Sequence, residues 1–387
     1  MTRNVLPPGS VLGVLGGGQL GAMFAGAARR MGYRVAVWDP DGDAPAHRLA
    51  DHSLREPFSD LTARERFVGS VQAITLEWEN IPADVCEWLE QRCPLYPSSA
   101  VLRILQDRLT QKQFLADHQL PVPVFTAVES PKDFRKGVEA IGLPVVCKTA
   151  TAGYDGKGQW SVRGASDIAA VEQQLAMGKC GQRWIVEQFV PFERELSVLV
   201  VRVDERTDCV YPVVENHHER GILRKTSVPA AILPHVVERA VAISREAVKV
   251  LKGIGVFCVE LFQVRGDNIL INEIAPRPHN SGHYTLDACS VSQFEQQVRV
   301  TSGLPLGEVR LLSPAAMVNV LGDEIDAIVS AEGCVGLHQV PGAVLHLYGK
   351  RVTRPGRKMG HVTFVSGEPE AASRQADRFI QSLLRPV

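Results

Sequence analysis

The opening of the chain commits it to a parallel sheet. Val11 to Leu15 is a short apolar run, Gly16-Gly17-Gly18 a tight turn, and Gln19 to Met31 has helical apolar spacing; Arg34 to Asp39 reads as a second strand. Strands joined through a helix lie parallel, because the crossover returns the chain to the same edge before the second strand starts. Ala73 to Glu77 reads as a third strand of this sheet, ending in the acidic cluster Glu77-Trp78-Glu79-Asn80. Ligands gather at such carboxyl ends. The turn also satisfies GxGxxG through Gly16, Gly18 and Gly21, with Asp39 downstream. Taken alone, that pattern points to NAD; a helix N-terminus whose free amides take a phosphate fits the same residues, and both readings stay open here.

The pattern breaks around Pro94 to Ser99, and Asp107 to Ala116 resumes as a helix closed by a proline-containing segment through Pro123. Strands are expected at Val145 to Lys148, Trp184 to Gln188, Leu196 to Val203, Val256 to Val264 and Ile269 to Ile274, with one long helix from Pro234 to Lys252. That alternation fits an α+β unit with largely antiparallel sheets. After Leu304-Pro305 come short strands at Ala315 to Val320, Gly342 to Tyr348 and His361 to Val365, then an amphipathic helix from Ala371 to Leu384. The expected division is 1–111, 112–303 and 304–387, the last a small β-rich domain. A chain of 387 residues, 45% of them hydrophobic, has enough apolar material for separate cores.

Charge excludes some partners. Forty-two basic against 43 acidic side chains give a net −1, so no whole-chain field draws the protein to nucleic acid or an anionic membrane. The apolar runs are far too short to span a bilayer, and Met1 to Ser10 has no apolar signal core, so a cytoplasmic location is expected. The 8 cysteines show no CxxC spacing, which argues against a zinc site or a redox dithiol.

Lys148 ends an apolar run, which brings its ammonium out of a buried strand as a compact charge for phosphates. Gly153, Gly156 and Gly158 follow within Gly153-Tyr154-Asp155-Gly156-Lys157-Gly158-Gln159, a flap whose amides can close over a triphosphate; GxxxxGK[ST] is absent, so this is not a P-loop. Glu187-Gln188-Phe189-Val190 ends the next strand with a carboxylate and apolar flanks suited to adenine and ribose, the amide of Val190 or its neighbour reading the ring. If Arg265 to Asn268 is a four-residue loop, Val264 pairs with Ile269 and Glu260 falls opposite Glu273 on one face. Like charges so placed repel, and a hard divalent cation between them, Mg²⁺ beside ATP phosphates, removes the conflict. Arg277, His279 and Asn280 follow at once, and Lys350, Arg351, Arg354, Arg357 and Lys358 form a second basic cluster suited to a phosphomonoester. His217-His218 offers metal-type ligands, but adjacent strand residues point apart.

In this order, Asp107 to Lys112 (DRLTQK), the Gly153 to Gln159 flap, Asn272 to His283 (NEIAPRPHNSGH) and Arg354 to His361 (RPGRKMGH) closely resemble the 5-(carboxyamino)imidazole ribonucleotide synthetases, ATP-grasp enzymes of purine synthesis. The resemblance spans nearly the whole chain. It implies an ATP-grasp fold with an N-terminal Rossmann-like preATP-grasp domain and a small C-terminal domain, in a homodimer. The implied reaction uses ATP to convert bicarbonate to carboxyphosphate and carboxylates 5-aminoimidazole ribonucleotide. By the same resemblance, Arg108, Lys148, Gly153 to Gln159, Glu187 to Val190, Glu195, His218, Asn272 and Glu273 are ATP-site positions. Glu260 and Glu273 are the ligands of Mg²⁺, or Mn²⁺ in its place. Asp155, Arg277, His279 and Asn280 form the reaction centre, and Gly18, Gln19, Leu20, Glu77, Lys350 and Arg357 hold the ribonucleotide. The glycine loop thereby passes from NAD to the purine intermediate. Two flap positions vary within the family: Ala152, where relatives usually carry glycine, and Lys157, where some carry arginine.

Three rival readings carry different expectations. A formate-dependent glycinamide ribonucleotide formyltransferase has the same fold and takes formate. An NAD-dependent oxidoreductase leaves the middle domain unexplained, and a nucleotide-binding regulatory module leaves Glu260 and Glu273 without purpose. A biotin-dependent carboxylase is disfavoured because Lys358-Met359 lies in a basic loop with no Ala-Met-Lys-Met hairpin.

Overall fold

Three sheets organise the computed structural model, which describes residues 4–151, 153, 158–177 and 182–383. In the first, His52–Leu54, Arg34–Trp38, Val11–Leu15, Ala73–Leu76 and Leu95–Tyr96 lie parallel in that order. Val11–Leu15 is central and buried at every position, as an unbroken apolar strand covered on both faces must be. Helix Gln19–Arg30 packs through Leu20, Phe24 and Ala28, spaced one turn apart. The strand order reverses between Val11–Leu15 and Ala73–Leu76, and both end at the glycine turn and Glu77. Gly16 has φ +88°, and a Cβ there would sit 2.7 Å from Glu77 Cγ. Only glycine fits that close approach in that conformation.

The second sheet is antiparallel, in the order Phe125–Val128, Trp184–Gln188, Val145–Thr149, Gln159–Val162. Helices Pro131–Ile141 and Ala165–Ala176, unforeseen in the sequence, close its core through Phe134, Val138, Val171 and Leu175. Lys148 pairs with Gln159, so the antiparallel strands Val145–Thr149 and Gln159–Val162 bracket the flap segment in the sequence. Tyr154, Asp155, Gly156 and Lys157, with Ala152, lie outside the described residues.

The third sheet has nine strands among the described residues. Its order is Asn268–Ala275, Gly255–Val264, Phe192–Arg202, Val214–Glu219, Ile222–Val228, Ala315–Leu321, Lys358–Val365, Ala343–Leu347, with Asp208–Val210 also on Phe192–Arg202. The C-terminal strands therefore extend the middle sheet: Lys225 pairs with Val318 and Ser227 with Ala316. Ile222–Val228 would otherwise be an exposed edge. Helices Ile325–Val329, Ala331–His338 and Pro369–Leu383 cover this end. One face of the sheet carries Leu196, Val198, Val259, Leu261 and Ile271 against helix Pro234–Val250. The other face is apolar toward Leu199, Val201, Val256 and Cys258, which pack under Tyr284 and Ala288, and polar toward Glu195, Ser197 and Glu260.

The hairpin differs from its expected register. Val264 pairs with Asn268 and Gln263 with Ile269, so the loop has three residues, Arg265 to Asp267, not four. Gly266 and Asp267 both adopt left-handed φ (+77° and +57°), which closes the turn one residue early. A bulge at Asn272 then inserts the missing residue, and Glu260 does pair with Glu273. Helix Arg108–Asp117, capped by Asp107 Oδ1 on Thr110 N at 2.8 Å, lies against this hairpin through Gln111, which bonds both Ile274 N (2.9 Å) and Ile274 O (3.3 Å). The seven described cysteines are free, five of them buried. No helix among the described residues is long and apolar enough to cross a membrane.

Candidate functional site

Lys148 emerges at the end of its strand onto Glu187, with Nζ 2.7 Å from Oε2. On the other side Lys112 Nζ stands 3.5 Å from Glu187 Oε1 and donates to Ile271 O at 3.2 Å. Burial alone would raise the Glu187 carboxyl; Lys148 and Lys112 outweigh it and pull it down to about 2. Burial pushes the Lys112 ammonium down to about 8, against the pull of Glu187. Arg108, one helical turn before Lys112, donates to Thr149 O (3.3 Å) and Gly153 O (2.8 Å) at the flap root, and reaches Glu273 Oε2 at 3.5 Å. At the other root Gly158, φ +71°, accepts from Thr149 N at 2.8 Å. Past Glu187, the amides of Gln188 and Phe189 are already given to Val124 O and Pro144 O, which narrows the expected ring-reading amide to Val190.

The polar face of the large sheet gathers Glu195, Ser197, Glu260 and Glu273, because Ser197 pairs with Glu260 and Glu260 with Glu273. His218 Nδ1 lies 2.7 Å from Glu195 Oε2; burial opposes its charge, and the Glu195 contact raises its pKa overall. A register shift separates His218 from exposed His217, so only His218 joins this face. His279 Nε2 is 3.1 Å from Glu260 Oε1, and its Nδ1 is 2.9 Å from Ser281 Oγ. Burial works against the His279 cation, and the Cys258 sulfur and Glu260 more than offset it, lifting the imidazole to about 10. Asn272 Oδ1 is buried without a partner among the described residues, between the paired carboxylates in sequence and at the bulge. Two carboxylates and an orphaned carbonyl oxygen are a donor set that fits a hard divalent cation. Asn280, 7% exposed, has both amide atoms buried and unpartnered among the described residues, a desolvation that a hydrogen-bonding ligand would offset.

The glycine loop overturns one expectation. Its amides are not free: Gly17 N donates to Asp39 Oδ2 at 2.6 Å, and Gly18 N and Gly21 N to the Glu77 carboxylate at 2.8 and 3.1 Å. Asp39 thus braces the loop and is not set out for a ribose. Burial raises the Glu77 pKa against those two amides. Leu20 is a core side chain, so only its backbone is available to a ligand, while Gln19 is half-buried at the helix start. Arg277 is paired in bidentate fashion with Glu79, one contact being Nη2 to Oε1 at 2.9 Å. The sequence places Glu79 in the acidic cluster after the third strand without assigning it a role; its spacing two residues from Glu77 is the available signal. Lys112, one turn from Arg108, was missed in the same way.

The C-terminal basic loop meets the N-terminal domain through Arg351 and Asp43, 2.9 Å apart. Lys350 Nζ donates to Lys358 O at 2.8 Å and stands 5.5 Å over the Tyr348 ring, while Arg357 Nη1 donates to Val352 O at 2.7 Å. Asp287, His346 and His361 bring ligand-type atoms within 4.8 Å of one another. The two imidazoles are stacked at 4.5 Å with 13° between planes, so one ion cannot lie in both ring planes. His346 Nε2 is moreover already bonded to Asp287.

The family model for the ATP-grasp domain matches residues 113–294, that for the ribonucleotide synthetase preATP-grasp domain residues 10–106, and that for the phosphoribosylaminoimidazole carboxylase C-terminal domain residues 315–375. An N5-carboxyaminoimidazole ribonucleotide synthase of Bacillus subtilis is 38% identical over 99% of this chain and 97% of its own. The synthase of Synechococcus elongatus is 38% identical over 100% and 97%. Among solved structures, an N5-carboxyaminoimidazole ribonucleotide synthetase in complex with ADP superposes with a TM-score of 0.92 at 38% identity, covering 99% of this chain and 98% of that one. The Aspergillus clavatus enzyme with ADP and 5-aminoimidazole ribonucleotide gives 0.87 at 30% identity, over 97% and 99%.

Proposed function

Because the chain belongs to the N5-carboxyaminoimidazole ribonucleotide synthases, ATP-grasp ligases, we propose that the sites described above perform one reaction: ATP-dependent carboxylation of 5-aminoimidazole ribonucleotide by bicarbonate in purine synthesis, with ADP and phosphate released. One observation carries the reading. Glu260 faces Glu273 across the hairpin and also bonds His279, so the phosphate end of a nucleotide site and the reaction-centre loop meet at one side chain.

ATP lies between the two sheets of the middle domain. Glu187 and the Val190 amide read adenine, Glu195 and His218 line the same cleft, and Lys148 and Arg108 reach toward the phosphates under the flap of Gly153 to Gln159. Glu260, Glu273 and Asn272 would hold Mg²⁺, which would neutralise charge on the phosphates. Bicarbonate oxygen attacks the γ-phosphorus and the bond to ADP breaks, giving carboxyphosphate. Arg277 and His279 flank the acyl phosphate, and flap closure keeps water away. The exocyclic amine of the ribonucleotide then attacks the carboxyl carbon, the bond to phosphate breaks, and the amine proton passes to the departing phosphate. Asp155 orients that amine, and Asn280 supplies its unused amide. Lys350 and Arg357 anchor the ribonucleotide phosphate, with Gly18, Gln19, Leu20 and Glu77 completing the pocket where the basic loop meets the N-terminal domain. The functional division is 1–111, 112–303 and 304–387, helix Arg108–Asp117 straddling the first junction; the enzyme is a cytoplasmic homodimer.

Incubation with ATP, Mg²⁺, the ribonucleotide and carbon-labelled bicarbonate tests this reading. Label must enter the ribonucleotide, and formate must not replace bicarbonate; turnover with formate would move the chain to the formyltransferase reaction.

A further inference from the structure

His279 is the N-cap of a single 3₁₀ turn, Asn280–Gly282, and so short a turn keeps one shape only where its ends are tied down. The His279 side chain is held by Glu260 and Ser281 and its carbonyl accepts from Gly282 N at 2.9 Å, but both of its backbone groups are also held from another element. Gln293, the first residue of helix Gln293–Ser302, accepts from His279 N through Oε1 at 2.9 Å and donates to His279 O through Nε2 at 2.8 Å. One side-chain amide thus grips both backbone groups of one residue.

Gln293 is itself immobilised. It is fully buried, its backbone N donates to Thr285 Oγ1 at 3.0 Å, and its Nε2 lies 3.2 Å from His283 Nδ1. Burial keeps the His283 imidazole well below its usual pKa, hence neutral, so Nδ1 accepts from the amide and fixes which end of Gln293 is the donor. Packing leaves no slack: a Cβ on Gly282 would fall 2.5 Å from Gln293 Oε1.

We propose that Gln293 is a positioning residue for carboxyl transfer, aiming His279 and Asn280 from behind while touching no substrate. The inference rests on the reading of this loop as the reaction centre. No smaller set of contacts does the work: ionised glutamate offers only the acceptor, and methionine offers neither bond at nearly the same volume.

The test compares Q293M and Q293E with the wild type at saturating ATP, bicarbonate and ribonucleotide, measuring phosphate and carboxylated product separately. Q293M is expected to lose about ten- to thirtyfold in kcat, the scale of two neutral hydrogen bonds. Its KM for ATP should change less than about twofold, and phosphate released per product should rise above that of the wild type. Q293E, which keeps the bond from His279 N, should recover part of kcat. Wild-type kcat and coupling in Q293M would overturn the proposal. So would a loss shared equally by kcat, ATP KM and thermal stability, which marks a general packing role. If Q293M fails to fold, Q293E carries the same comparison, and wild-type coupling there overturns it. A wild type that makes no carboxylated product would instead defeat the functional reading itself.

Discussion

Replacing Glu187 with glutamine keeps the shape of the side chain and removes the one charge that buried Lys112 and half-buried Lys148 share. Lys148 Nζ is 2.7 Å and Lys112 Nζ 3.5 Å from its carboxylate, and Lys112 is 2% exposed. Removing one partner of a buried ion pair costs about 3–5 kcal/mol, because a charge is left unpaired in a poor solvent. The structure offers a way out that caps the loss. Lys112, already drawn from 10.5 to about 8, can shed its proton. The Glu187 carboxylate, held from 4.5 down to about 2, contributes about 1.4 kcal/mol for each of about two to three units, and this is what the substitution removes. The expected destabilisation is therefore about 3–4 kcal/mol. The sign with pH follows: in the variant the unfolded chain binds the Lys112 proton and the folded chain does not. Stability should then rise toward about pH 9 with a slope of up to about 1.4 kcal/mol per unit. In the wild type the folded chain keeps the Lys112 proton up to about 8, so the same rise starts only there, while the Glu187 contribution is complete above its ordinary 4.5 and is lost as pH falls through about 2. Urea unfolding followed by tryptophan fluorescence, without nucleotide, measures both. A loss under about 1 kcal/mol near pH 7.5, or stability that falls toward pH 9, refutes the shared-charge account.

R277A should abolish product formation and leave ATP affinity nearly unchanged, as read by nucleotide titration and product assay, because Arg277 bonds Glu79 and lies outside the lysine and flap contacts. Ordinary turnover would remove Arg277 from the reaction centre. E260Q halves the charge of the hairpin pair and should raise the Mg²⁺ concentration for half-maximal phosphate release by at least about tenfold; an unchanged requirement would put the ion elsewhere. K350A should raise the KM for the ribonucleotide about ten- to a hundredfold, the range for losing a charge-assisted bond, with ATP KM unaffected. A matching rise in ATP KM would contradict a phosphate-anchor role.

What the sequence made legible is the placement of chemistry at strand ends. Lys148, Glu187 and the acidic turn after Leu76 lie where apolar runs stop, and the burial that makes those runs apolar also delivers their last residues to one site. The Glu260–Glu273 pair was right while its route was wrong, since a shortened turn and a bulge at Asn272 cancelled, each invisible to an alternating pattern. Long-range pairing was not legible. That Asp39 and Glu77 occupy the loop amides, that Glu79 takes Arg277, and that the C-terminal strands continue the middle sheet all depend on partners tens to hundreds of residues away, where side-chain periodicity carries no signal. The helices at 131–141 and 165–176 escaped for a local reason: they are half-exposed covers of a small sheet, and few of their residues are buried.

The central claim is that bicarbonate is activated by phosphorylation before the ribonucleotide amine attacks it. Turnover with ¹⁸O-labelled bicarbonate, followed by mass analysis of the released phosphate, tests it directly. If the carboxyl oxygen attacks the γ-phosphorus and the carbon–oxygen bond later breaks, each phosphate formed with product carries one oxygen from bicarbonate. Product formed alongside unlabelled phosphate would contradict the acyl-phosphate route and the roles assigned to Arg277, His279 and the flap.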